Sequence, residues 1–256
     1  MKFINSFRSE WLKTRRSAAA WLTLIGGFLI PIVILIARIM DFDALYKIHT
    51  SQHFWETIYN QCWHYMAIFL LPMGVILATS LITQLEFKNN TWKQLHTTPQ
   101  NYTTIFIAKF AVIIVMMLQY FVLFNIGIYL AGLIPSIIYK GIPYPEESIP
   151  YLKIIKINAI FFIDCLPIIA LQYLISMQFK NFMAPVGFGL GMFILAIMTN
   201  SWKYTYLVPY IYCTLNALGK NSPVSPNINI HLYASTYFMF FMITSYLLYV
   251  TKKEKG

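Results

Sequence analysis

Charge is scarce in this chain and acid is scarcest: 9 Asp and Glu stand against 19 Lys and Arg in 256 residues, and 11% of positions are charged. A soluble domain normally carries charge on roughly 25–35% of its surface, so this composition cannot clothe a water-soluble globule. Cysteine is nearly absent. Cys62, Cys165 and Cys213 form no CxxC pair, which removes zinc-ribbon and thioredoxin-type chemistry, and the sequence leaves a Cys62–Cys213 bridge open. No G-x-x-x-x-G-K-[ST] occurs; Gly219-Lys220-Asn221 lacks both the upstream glycine and the hydroxyl residue, so the chain has no P-loop with which to hydrolyse ATP. His-Glu-x-x-His and Gly-x-Ser-x-Gly are missing too. Glu146-Glu147 begins like the Glu-Glu-x-x-x-Arg motif of glutamate-type intramembrane proteases, but Tyr151 stands at the arginine position and the doublet lies in a proline-rich loop.

What is abundant is apolar surface: 58% of residues are hydrophobic and the mean hydropathy is +0.60. A helix needs about 20 apolar residues to cross about 30 Å of hydrocarbon. Six runs qualify: Ala18–Ala37, Trp63–Thr83, Phe110–Ile134, Ile157–Phe179, Met183–Thr199 and Leu232–Val250. They do not alternate apolar with polar residues, which excludes barrel strands. The expected fold is an all-α membrane protein with six transmembrane helices in a single domain covering 1–256.

The distribution of basic residues orients it. With the N-terminus in the cytoplasm, twelve of the 19 Lys and Arg fall on inside segments, including Lys13, Arg15, Arg16, Lys88, Lys93 and Lys252, and seven fall outside. The positive-inside rule then places both termini in the cytoplasm. The net charge of +10 is read as this orientation signal, and nucleic acid is not an expected partner.

Between the runs, several segments have distinct characters. In residues 1–17, Phe3, Ile4, Phe7, Trp11 and Leu12 recur at helical spacing among Lys and Arg, the pattern of an interfacial helix lying on the inner leaflet. A cleaved signal peptide fits less well, because the apolar run that follows is too long and has no small-residue cleavage pattern. Arg38–Cys62 reads as a polar, aromatic outer loop. His49 and His53, four apart, and His64 raise a metal reading, but no third ligand is fixed by spacing. Pro72 and Pro167 should kink the second and fourth spans. Gly187, Gly189 and Gly191 favour close helix approach in the fifth. Residues 201–231, rich in Tyr, are too polar to span and too aromatic for water, and are expected to dip into the outer leaflet as an extracellular re-entrant segment.

Two features carry function. Asp164 lies inside the fourth span, where an acid costs about 2.5–3.5 kcal/mol on insertion scales. It is the candidate pathway residue, with Gln119, Asn125 and Gln172 as candidate neutral partners. The second feature is the polar insert from Glu86 to Lys109, between the second and third spans. Thr91 is a plausible N-cap for a short helix running toward Pro99. Trp92 and Leu95 share a face suited to an apolar groove on a partner, and Lys88 and Lys93 suit acidic residues there or the leaflet surface.

The insert, the six runs and the N-terminal Ser9-Glu10-Trp11-Leu12-Lys13 together resemble an ABC type-2 exporter permease over essentially the whole chain. Glu86, Asn90, Thr91, Trp92, Lys93, Leu95, Pro99 and Lys109 match that family's pattern position by position, with Asn90 where glycine is usual. Asn tolerates left-handed backbone better than most residues, so the departure is mild. The resemblance implies that 86–102 is a cytoplasmic coupling helix docking on a separate ATP-binding cassette ATPase subunit. It further implies a homodimer, or a heterodimer with a related permease, in a bacterial inner membrane. ATP would sit on the partner subunit, with no cofactor bound by this chain and membrane lipid around it. The substrate class expected is hydrophobic or amphipathic: a peptide antibiotic, a drug or a lipid-like molecule, as in antibiotic resistance or immunity. A non-transporting scaffold or sensor, or a membrane enzyme acting on lipid or peptide, is the alternative.

Overall fold

The computed structural model describes residues 2–88, 101–225 and 227–251. All regular structure among them is helical. In chain order the helices are α1 (Lys2–Thr14), α2 (Ala18–Ile39), α3 (Phe42–His49), α4 (Phe54–Tyr65), α5 (Leu71–Lys88), α6 (Tyr102–Ile138), α7 (Tyr151–Gln178), α8 (Met183–Met198), α9 (Tyr212–Leu218) and α10 (Ile230–Thr251). A π-helical turn, Met66–Leu70, fuses α4 to α5.

Five helical rods are long and apolar enough to cross a membrane: Ala18–Ile39, Phe54–Leu85, Tyr102–Ile138, Tyr151–Gln178 and Ile230–Thr251. The fifth expected run forms α8, which has 16 residues. At 1.5 Å per residue it covers about 24 Å, less than a hydrocarbon core of about 30 Å. The bundle therefore has five full-length rods and one short one. Pro72 has no N–H to offer the Ile68 carbonyl, and the wider π turn immediately before it absorbs that loss. α7 runs through Pro167 as one continuous helix.

The expected outer loop, Arg38–Cys62, is largely helical. The Asp41 carboxylate caps α3 by accepting the Ala44 N–H at 3.0 Å. The second rod begins at Phe54, nine residues before Trp63, because Phe54, Trp55, Ile58, Tyr59, Cys62 and Trp63 form a buried face between polar neighbours. Arg38 is buried in the last turn of α2, where a cation complements the helix dipole, and its Nη2 donates to Gln61 Oε1 at 3.2 Å. All three cysteines are buried and free, so no Cys62–Cys213 bridge exists.

The rods alternate between two ends of the bundle, here the α1 face and the α3 face. α2 packs along α6, α5 lies against α7 and α8, and α10 lies against α7, whereas α6 and α7 scarcely approach each other. The α2–α6 contact is close because it uses glycine. A Cβ on Gly127 would stand 2.9 Å from Pro31 Cγ, and one on Gly27 would stand 2.9 Å from Leu123 Cβ. Behind this seam sit Tyr120, Phe124 and Trp63, with Trp63 stacked on Phe161 at 4.2 Å between ring centroids.

α1 packs on α6 and α5. It turns a polar stripe inward: Ser6, Glu10 and Thr14, spaced four apart, are buried, and Glu10 is ion-paired with Lys13. Phe7 and Trp11 flank the stripe against the core while Ile4 and Leu12 point out. At the other face, Thr205, Val208 and Tyr210–Leu215 fold back into the bundle and are buried, with α9 against α7, α4 and the π turn.

His49 fastens α3 to α6. It is 3% exposed, with Nδ1 3.0 Å from the Leu45 carbonyl and Nε2 3.2 Å from the Gly132 carbonyl. Burial holds its pKa below the ordinary 6.5; the two carbonyls pull upward, and the Arg38 charge adds to the lowering. The fold thus prefers neutral His49. Its contribution is complete above the unfolded value and is lost as pH falls from there toward the lower folded value. We expect hydrogen exchange of α3 amides, corrected for intrinsic rates, to accelerate between about pH 7.5 and about pH 5.5. His49→Phe should remove most of that pH dependence.

Candidate functional site

The structure places the sequence-derived site residues in three groups. Glu86 lies in the last turn of α5. Asn90, Thr91, Trp92, Lys93, Leu95 and Pro99, with the expected coupling helix, lie outside the described residues. Lys109 is buried on the third turn of α6, on the same α1 face as the end of α5. Asp164 is far from both, in the middle of α7.

Both helices that flank the insert are fastened to the rest of the bundle by polar contacts. At the end of α5, Gln84 Nε2 donates to the Ser176 carbonyl at 3.0 Å and the Phe179 carbonyl at 2.7 Å. These belong to the last turn of α7 and its C-cap, whose carbonyls have no partner within the helix, so the amide caps α7 from outside. At the start of α6, Thr103 Oγ1 lies 2.8 Å from the Tyr246 hydroxyl of α10. The Tyr173 hydroxyl of α7 donates to the Phe106 carbonyl at 3.0 Å. Phe106 also packs edge-on against Tyr246. The two helices that carry the insert are thus tied to α7 and α10.

From Gln84 a polar seam runs into the bundle. Ser176 Oγ donates to Ser80 Oγ at 3.4 Å. Gln172 Nε2 donates to Ser80 Oγ at 2.7 Å and to the Pro185 carbonyl of α8 at 2.8 Å. Gln172 Oε1 accepts the Tyr210 hydroxyl at 3.0 Å. One fully buried amide thus joins α5, α7, α8 and the 201–231 segment. Gln172 is six residues from the end of α7, about 9 Å along the axis, so the segment carrying Tyr210 reaches deep into the bundle. Gly189 makes room: a Cβ there would stand 2.6 Å from Gln172 Oε1 and 2.7 Å from Ile76 Cγ2, whereas Gly187 and Gly191 face open space. Of the three glycines expected to permit close approach, one does so.

Asp164 is fully buried and its partner is His231, whose Nδ1 donates to Oδ1 at 2.7 Å. Of the neutral candidates, Gln119 is exposed and the other two are bonded elsewhere. Gln172 is engaged as above and Asn125 pairs with Asn158. The contact joins the first turn of α10 to the middle of α7 and leaves the imidazole side chain 39% exposed. Of the histidines raised as metal ligands, His49 has both ring nitrogens facing backbone carbonyls, and no group of three His, Cys, Asp or Glu suited to a metal occurs among the described residues.

Sequence reasoning missed the Gln84–Ser80–Gln172–Tyr210 seam. A signal was present: Ser80 and Gln84, at the end of one apolar run, and Gln172 and Ser176, inside another, are each i, i+4 polar pairs, which puts each pair on one helix face.

Removing one partner of a buried polar pair leaves the other unsatisfied, at about 1–3 kcal/mol for a neutral group and about 3–5 kcal/mol for a charged one. Gln172→Leu should therefore lower the thermal midpoint of the reconstituted chain measurably. His231→Ala should lower it further than Asp164→Asn, because the asparagine can still accept the imidazole N–H.

No curated protein matches the chain. The sequence model described as ABC-2 family transporter protein matches residues 6–198, a range that runs from the buried stripe of α1 to the end of α8 and contains the whole insert and the seam on α5 and α7. The chain belongs to the ABC-2 transporter family, the membrane components of ATP-binding cassette transporters.

Proposed function

We propose that this chain is the permease subunit of an ATP-binding cassette exporter, driven by a separate ATPase subunit that docks on residues 86–102. The observation that carries the reading is the family match over 6–198, combined with the absence of a nucleotide-binding motif in the sequence. The anchoring of α5 and α6 supports the direction of coupling. In this reading Glu86, Asn90, Thr91, Trp92, Lys93, Leu95 and Pro99 form or flank the coupling helix, and Lys109 steadies the base of α6.

The short α8 counts as the fifth of six spans, with the deeply folded 201–231 segment re-entering from outside. α1 lies on the inner leaflet with Ile4 and Leu12 toward lipid. Both termini are cytoplasmic and the protein resides in a bacterial inner membrane. Two permeases, identical or related, enclose the path for a hydrophobic or amphipathic substrate such as a peptide antibiotic, a drug or a lipid-like molecule. ATP is held by the partner, and Asp164 is a pathway-side group held by His231.

The test is recovery of the ATPase. The tagged full chain, purified from its own host's membranes, should bring down a protein bearing a Walker motif whose ATP hydrolysis it stimulates. A tryptophan anchoring an interface is commonly worth 2 kcal/mol or more, so Trp92→Ala should weaken that association by about 30-fold, with Glu86→Ala weaker in effect. A scaffold or sensor would recover no ATPase. If the Trp92→Ala/Glu86→Ala double variant recovered the ATPase at the wild-type level and transported normally, the docking assignment would be wrong.

A further inference from the structure

Because α6 and α7 scarcely approach each other, they leave a groove of about 860 Å³ between them. That is within the usual range of small-molecule sites, roughly 300–1,000 Å³. Its walls are aliphatic and aromatic side chains of α6 (Leu118 to Tyr129) and of Ile149 to Ile163, with Tyr59 of α4 behind them. Both walls are helices long enough to cross a membrane, so what enters sideways arrives from the bilayer.

A polar cluster of Asn125, Asn158 and Tyr59 stands in this largely apolar groove, which Tyr129 and Tyr151 also line. Asn125 and Asn158 bridge the two walls by reciprocal amide bonds, Asn125 Nδ2 to Asn158 Oδ1 at 2.7 Å and Asn158 Nδ2 to Asn125 Oδ1 at 3.0 Å. The second N–H of each goes to the carbonyl of its own preceding turn, Phe121 at 2.7 Å and Ile154 at 2.8 Å. Those carbonyls also fix the amide orientations, since a flip would set oxygen against oxygen. The Tyr59 hydroxyl donates to Asn125 Oδ1 at 3.2 Å. Every donor in the cluster is thereby used. What is left over is acceptor capacity, on Asn158 Oδ1 and on the Tyr59 oxygen.

The depth of the cluster also selects. Gly27 lies against Leu123 and Pro31 against Gly127, so Asn125 is level with the middle of α2 (Ala18–Ile39). A charged head group is strongly disfavoured there. Near one end of the groove, Lys153 and Glu56 neutralise each other at 2.6 Å. Asn125, Asn158 and Tyr59 offer a phosphate or carboxylate neither a free donor nor a cation. A transmembrane helix from a second copy keeps its backbone donors internal and so leaves the acceptors unused.

We propose that the α6–α7 groove binds a neutral amphiphile of the bilayer that carries a hydroxyl group, of the diacylglycerol type. Its chains lie against the apolar walls and its O–H donates to Asn158 Oδ1 or the Tyr59 oxygen. This site does not depend on the exporter reading, and its test needs no ATPase.

The full chain in phosphatidylcholine nanodiscs is photolabelled with a photoactivatable diacylglycerol, and in parallel with the same probe acetylated on its free hydroxyl. Labelled peptides are mapped by mass spectrometry. The hydroxyl probe should label 118–129 and 149–163 about threefold to tenfold more than the acetylated one, the ratio expected for one hydrogen bond. Tyr59→Phe/Asn125→Leu/Asn158→Leu, which removes all three polar groups of the cluster together, should abolish the preference. Ala159→Trp, which fills the groove from a lining position, should abolish labelling there by both probes. The proposal is overturned if the wild-type chain takes both probes equally, if labelling falls elsewhere, or if these residues crosslink to a second copy of the chain instead.

Discussion

A primary amide enclosed by hydrocarbon has to find its hydrogen bonds inside the protein, and the arrangement of this bundle follows from how Gln172 does so. Hydrocarbon offers no hydrogen bonds of its own, so an unmatched amide in it costs several kilocalories per mole relative to a matched one. Gln172 solves this by drawing in Ser80 from α5, the Pro185 carbonyl from α8 and the Tyr210 hydroxyl. Each of those groups is fixed in turn. α8 must come close enough to need glycine at 189, and the chain after α8 must fold back far enough to deliver a tyrosine. Apolar packing alone would let these elements slide, because lipid tails are as apolar as leucine. The amide gives them a register.

The same reasoning separates two kinds of helix contact. α2 and α6 meet backbone to backbone through Gly27 and Gly127, a contact of shape. α5, α7 and α8 meet through matched polar groups, a contact of chemistry. The backbones of α6 and α7, consecutive in the chain, stay apart, and the two are joined by side chains: the Asn125–Asn158 pair, the edge-on rings of Phe121 and Phe162, and Tyr173 against Phe106 and Phe110. The Asp164–His231 contact has a different character again: a buried carboxylate pins the start of α10 to the middle of α7.

Run length and apolarity are local properties, so the spans at Ala18, Phe110, Ile157 and Leu232 were legible from sequence. The start of the second rod was not. Phe54–Tyr65 mixes Glu56, Asn60, Gln61 and His64 with a buried aromatic face, and averaging along the chain hides a helix whose two sides differ. The partner of Asp164 was illegible for another reason: His231 is 67 residues away, and nothing within a single chain's pattern encodes that meeting. The polar seam was half legible, since i, i+4 spacing shows which residues share a face but not what that face meets. Nearest-neighbour logic failed for the three glycines, which look alike in sequence and differ only in what faces them. The insert remains known through its sequence pattern and through the two helices that carry it.

α6 begins at Tyr102, just past the insert, and continues for 37 residues without interruption. At 1.5 Å per residue it is about 55 Å long, nearly twice the thickness of a hydrocarbon core. A hydrogen-bonded rod of that length does not compress, so it behaves as a lever arm. A tilt of about 5° about its base carries the far end through about 5 Å, given that length. That far end holds Gly132, against which His49 and the ring of Trp55 rest. A small rotation at one membrane surface thus becomes a displacement of several ångströms at the other, with no intermediate hinge required.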